Sequence, residues 1–118
     1  MIDPVALLIR YHAALQPYDA NTVTTMFAPD ARYVSPGVGG VIEGRDAIIA
    51  AFTAYFTEHP DQNSVDDSVV AVAPDTARAE WSLNATSAST GEPYIRRGTE
   101  TIRFTPQGLI AEVSVEDS

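Results

Sequence analysis

The run Ala77-Arg78-Ala79-Glu80-Trp81-Ser82-Leu83-Asn84-Ala85 alternates small or apolar residues with polar ones. A period of two marks a strand with one buried face, because successive side chains point to opposite sides of a sheet. Thr90-Gly91-Glu92-Pro93 has the composition of a hairpin turn. Residues 94–104 then give the longest strand, with Gly98, Glu100, Ile102 and Phe104 on one face. Pro106-Gln107-Gly108 turns the chain again, and the last strand sets Leu109, Ala111, Val113 and Val115 against Glu112, Ser114 and Glu116. Upstream, residues 65–73 form a strand that ends at the Pro74-Asp75 turn.

Working back towards the N-terminus, the period changes to that of a helix. Asp3-Pro4 reads as an N-cap followed by a proline at the first helical position. Val5, Leu8, Ile9, His12 and Leu15 then share a face, flanked by Leu7 and Tyr11, and Gln16-Pro17 ends the helix. Asp19 caps a shorter helix carrying Val23, Met26 and Phe27, closed by Ala28-Pro29-Asp30. Residues 31–35 make a short strand that runs into a glycine-rich loop over 36–40. A third helix starts near Gly44-Arg45-Asp46, presents Ile48, Ile49, Phe52, Tyr55, Phe56 and His59 as a broad stripe, and stops at Pro60. Helices gathered at the front and a meander of strands behind them indicate an α+β layer structure, and residues 1–118 read as one domain without repeat or linker.

Composition narrows the function classes. The chain has 118 residues, 45% hydrophobic and 19% charged, the balance of a globular domain. It has no Cys, which removes disulfides, thiol nucleophiles and thiolate metal sites together. Sixteen acidic against seven basic side chains give a net charge of −9. That balance offers no basic face to displace counterions from nucleic acid and would repel an anionic membrane surface. The first residues lack the basic and apolar stretches of a signal peptide, and no apolar run approaches a membrane span. A cytoplasmic protein that takes a hydrophobic small molecule is the expectation.

Three stretches carry a resemblance: Tyr11 to Asp19 leading into Phe27-Ala28-Pro29-Asp30-Ala31; Ile42-Glu43-Gly44-Arg45-Asp46-Ala47-Ile48; and Thr101-Ile102-Arg103-Phe104 running to Gly108-Leu109-Ile110. In this order they resemble a SnoaL-like member of the nuclear transport factor 2-like superfamily, home of ketosteroid isomerases, polyketide cyclases, dehydratases and epoxide hydrolases. The resemblance implies a cone-shaped α+β barrel, with three helices packed on a strongly curved, mostly antiparallel sheet around a pocket. It also implies a homodimer through the outer sheet face, where Arg78, Glu80, Ser82, Asn84 and Thr86 would lie.

Against the ketosteroid isomerases, Tyr11 matches the tyrosine donor, Glu100 matches the protonated carboxyl donor, and Ser35 falls where the general base lies. A serine is too weak an acid to act as that base without a partner. His12, in the middle of an apolar stripe, could supply the base if it reaches the pocket, as in the superfamily's dehydratases, with Tyr18 and Tyr33 as tyrosine partners. Each residue also has a structural reading: Tyr11 as a packed core tyrosine, His12 as a hydrogen-bonded core histidine, and Glu100 as half of an internal salt bridge with Arg96 or Arg103. His59, at a helix end, is explained by the helix dipole.

Tyr33, Ser35, Phe52, Tyr55, Trp81 and Phe104 would line the pocket. His12 and His59 have no metal-ligand spacing, and there is no phosphate loop, dinucleotide fingerprint or G-x-S-x-G elbow. Arg96, Arg97 and Glu100 supply parts of an epoxide hydrolase's Asp-Arg-Asp set, but the last strand offers Glu112 and Glu116 in place of its aspartate. The expectation is a cofactor-free isomerase, cyclase or dehydratase that moves a proton on a hydrophobic carbonyl compound. The alternative is a non-catalytic ligand-binding or dimerisation domain of the same fold.

Overall fold

Asp3 starts the chain's first element: its carboxylate accepts from the backbone N–H groups of Val5 and Ala6, so Pro4 opens helix α1 (Pro4–Leu15). The computed structural model describes residues 2–36 and 39–117. Within them follow α2 (Ala20–Met26), β1 (Phe27–Ser35), β2 (Gly40–Glu43), α3 (Arg45–Glu58), β3 (Asn63–Ala73), β4 (Thr76–Thr86), β5 (Pro93–Phe104) and β6 (Ile110–Asp117). The six strands form one curled, open sheet in the order β2-β1-β6-β5-β4-β3. All neighbours are antiparallel except β1 and β6. That parallel pair closes the sheet's connectivity, because β1 comes from the helical front of the chain and joins the end of the meander. The three helices pack on the concave face, giving the expected α+β architecture.

The alternation of β4 and β5 holds. Ala77, Ala79, Trp81, Leu83, Gly98, Ile102 and Phe104 are buried, and their polar neighbours in sequence face outward. The core joins this sheet face to Leu8, Tyr11, Val23, Phe27, Ile48 and Phe52. Phe27 sits at its centre, edge-on to both Tyr11 and Phe52.

Several boundaries differ from the sequence reading. Residues 28–30 do not close α2 in a loop: β1 starts at Phe27 and runs through Pro29. A proline is tolerated there because the β1–β6 pairing is irregular between Phe27 and Arg32, so no ladder bond is lost. The glycine-rich loop over 36–40 includes Gly37 and Val38, which lie outside the described residues; Gly40 already belongs to β2. In β6 the inward residues are Ile110, Val113 and Val115, where Leu109 and Ala111 had been expected with the last two. The register shifts between Arg103 and Phe104, so Ala111 is bulged and the phase slips by one residue. Helix α1 is also rotated: Tyr11 is buried at the centre of its inner face, and Ile9 is half exposed.

Candidate active site

A cavity of about 100 Å³ opens between α1, α3 and the concave sheet. Its walls are largely apolar, from Leu15, Phe52, Phe56, Trp81, Leu83 and Val115. Its polar groups come from His12, Tyr33, Ser35, Tyr55, Arg96 and Glu100, with Gln16, Gln62 and Ser64 near the start of β3. Of the residues named from sequence, His12, Glu100, Tyr33, Ser35, Phe52, Tyr55 and Trp81 therefore meet in one place.

Tyr11 and Phe104 do not line this cavity. They border a separate groove between α1, α2 and the β5–β6 turn. The Tyr11 hydroxyl is buried without a hydrogen-bond partner. Burial foremost, then Tyr33 and Glu100, hold its pKa well above the usual tyrosine value. Tyr18 is also elsewhere, stacked on Phe56 with its hydroxyl donating to the Ile49 carbonyl on α3.

Three elements converge on His12. From α1 its Nδ1 lies 2.8 Å from both carboxylate oxygens of Asp66 on β3, and its Nε2 is hydrogen-bonded to Glu100 Oε1 on β5. The ring is half-buried, and Glu100 is buried. Burial pulls the His12 pKa down, but the carboxylates of Glu100 and Asp66 outweigh it and push it up to about 10. An imidazole in that state is a donor on both nitrogens and cannot accept a proton near neutrality. Glu100 thus pairs with His12, where a salt bridge to Arg96 or Arg103 had been the alternative reading. Arg96 pairs instead with Asp117, and Arg103 is an exposed residue opposite Glu112.

Asp66 was not singled out from sequence. Its signal is a break in the period of β3. Asp66 faces Trp81 across the sheet and Ser68 faces Glu80, so Asp67 is an extra residue. Without that bulge, a strand that points Asp66 inward would turn Val69 to solvent. With it, both Asp66 and Val69 face the core. Two adjacent aspartates inside a valine-rich strand are the visible trace of this arrangement.

The hydroxyls behave as donors. Burial first, then the charge of Glu100, raises the Tyr33 pKa, against smaller opposing contributions from the Arg96 charge and from a hydrogen bond with Ser35. Burial, followed by Tyr94, pushes Tyr55 up to about 12. The Tyr55 hydroxyl makes no hydrogen bond of full geometry, although Tyr94 and Arg96 are near enough to hydrogen-bond with it. Among the described residues no cluster of His, Asp and Glu has a metal-binding arrangement, and no helix is long and apolar enough to cross a membrane. Arg97 and Glu116 are exposed, away from any Asp-Arg-Asp set.

This constellation is an apolar cavity with a carboxylate–imidazolium–carboxylate chain in its wall and phenol donors beside it. Residues 8–113 match the model of the SnoaL-like domain. The chain belongs to the SnoaL-like family. No curated protein matches the sequence. Among solved structures, a nuclear transport factor 2-like protein of unknown function from an Exiguobacterium species is 21% identical, with a TM-score of 0.81 over 95% of this chain and 98% of its own. A Mycobacterium tuberculosis protein crystallised with estradiol-17β-hemisuccinate is 18% identical, with a TM-score of 0.83 over 95% of this chain and 91% of its own. An epoxide hydrolase/cyclase-like enzyme of salinomycin pyran-ring formation is 17% identical, with a TM-score of 0.84 over 96% of this chain and 88% of its own. At these identities the likeness establishes the nuclear transport factor 2-like fold.

Proposed function

We propose that this SnoaL-like chain is an isomerase-, cyclase- or dehydratase-type enzyme that moves a proton on a small, mostly apolar carbonyl compound without a cofactor. The observation that carries this reading is the Asp66–His12–Glu100 chain ending in the cavity. Glu100 is the proton carrier. His12 and Asp66 are positioning residues: the imidazolium spends both N–H groups on carboxylates and so orients Glu100 rather than touching substrate. Tyr33 serves as the donor to the developing oxyanion, the role that the isomerase comparison assigned to Tyr11. Size favours a small substrate. Pockets for drug-sized ligands occupy roughly 300–1,000 Å³, and a dry cavity of roughly 150 Å³ holds benzene. About 100 Å³ suits a body of that smaller order, with a longer ligand protruding through the mouth.

Deuterium exchange at the carbon beside the carbonyl tests the reading without knowledge of the product. Small cyclic ketones and lactones in heavy water, followed by nuclear magnetic resonance, should lose their α-protons faster with the protein than in buffer. Glu100→Gln should lower that rate by about 100-fold or more. Equal rates for the two proteins would exclude Glu100 as the carrier.

A second reading is a binding domain without turnover. It is favoured by Ser35 at the isomerases' base position and by the engagement of both His12 nitrogens. Ligand-induced thermal stabilisation without exchange would select it. On the outer sheet face, Val65, Val70 and Ile95 are exposed beside the polar residues of β4. This mixed surface is proposed as a homodimer face, and the cytoplasm as the protein's location.

A further inference from the structure

The cavity has two polar regions, and the proton-transfer reading uses only one of them. Glu100 and Arg96 are four residues apart on β5, so their Cα atoms are separated by about 13 Å along the strand. Both side chains line the cavity. The Arg96 guanidinium lies 5.2 Å from the centre of the Trp81 ring. Its side chain is only 13% exposed. Asp117 Oδ1 accepts from Nε at 3.1 Å and from Nη2 at 2.5 Å. An arginine has five N–H groups in a planar fork, so a single carboxylate oxygen leaves donors over. Next to it stands Tyr55, whose buried hydroxyl lies within reach of Arg96 and Tyr94 but makes no hydrogen bond of full geometry to either.

We propose that Arg96 and Tyr55 form an anion-anchoring subsite, so that the molecule taken into the cavity is a small carboxylate whose acid group rests on this pair and whose apolar body points towards Glu100. This rests on the cavity being a small-molecule site. Three features support it. A guanidinium and a phenol hydroxyl are both donors, and together they match the two oxygens of a carboxylate. Trp81 holds the guanidinium plane from one side, which removes much of the entropy cost of ordering it on a ligand. Asp117 demonstrates the recognition from within the chain: at 43% side-chain exposure, it is a carboxylate at the rim that the same fork already holds. At the other end, Glu100 and Asp66 would repel an acid group, which sets the direction in which the ligand enters.

Benzoate and benzamide are nearly the same shape and differ in charge. Their affinities for the intact protein, measured by titration calorimetry at one near-neutral pH and one ionic strength, test the subsite. Benzoate should bind about tenfold or more tightly than benzamide. Arg96→Gln should abolish that preference, lowering benzoate affinity far more than benzamide affinity. Tyr55→Phe should weaken benzoate selectively, and Asp117→Asn, which removes the competing carboxylate, should tighten it. Equal affinities in the native protein, or a preference that survives Arg96→Gln, would overturn the anchor and leave the cavity reading intact. If neither probe binds, the cavity reading falls with it. Should Arg96→Gln fail to fold, Asp117→Asn decides alone: benzoate affinity that does not rise overturns the proposal.

Discussion

Desolvation of the His12 ring favours its neutral form, yet the two flanking carboxylates reverse that preference and hold the proton to about pH 10. In the unfolded chain the same ring loses its proton near 6.5. Because the folded value is the higher one, this stabilisation is complete below about 6.5 and is lost as pH rises through about 10. Across that window the folded protein holds the extra proton, so stability should fall by up to about 1.4 kcal/mol per pH unit on this account. Urea unfolding at a series of pH values checks this. The native protein should lose stability between neutrality and pH 10, and His12→Gln should flatten the curve over that range. A histidine variant with the native slope would assign the dependence to other groups. Sequence alone suggested that His12 could be a base; the pair of carboxylates makes it a fixed cation.

At the scale of elements, strand β5 carries the site and its shape depends on Gly98. A Cβ built there would stand 1.9 Å from the Glu116 carbonyl oxygen, a backbone atom of β6 that cannot swing aside. The close approach lies in the paired stretch of β5 and β6, between Arg96 and Glu100. Gly98→Ala should therefore cost about 2 kcal/mol or more, read as a lowered urea midpoint, because the strands must separate to admit one methyl group. A variant as stable as the native chain would mean that the strands are free to part. The strand itself was legible in its alternation, as were both helix caps at Asp3 and Asp19. The bulges at Asp67 and Ala111 were not, since a bulge is decided by the partner strand's register and leaves only a slip of phase in the sequence.

For the molecule as a whole, the helices cover one face of the sheet and leave the other open. Val65 and Val70 on β3 and Ile95 on β5 flank the polar face of β4, and Ile95 is 73% exposed. If this surface pairs with a second copy, sedimentation should give twice the chain's mass, and Ile95→Lys should return it to the monomer without lowering the unfolding midpoint of the isolated chain. A native chain that sediments as a monomer at high concentration would remove the dimer.

The order of the helices and of five of the six strands, the inward faces of β4 and β5, and the family followed from the sequence by itself, whereas β2 (Gly40–Glu43) did not. These depend on periodicity and caps, which are local and repeat along the chain. What tertiary structure alone decided is the company each polar residue keeps. Asp66 and Glu100 are far apart in sequence, and His12 meets them only because α1 lies across the concave face of a curled sheet. The same curvature leaves Tyr11 and Phe104 on a different groove and brings Arg96 beside Tyr55. Charge pairing across a cavity is set by where elements cross, and that information is not carried by any stretch of residues on its own.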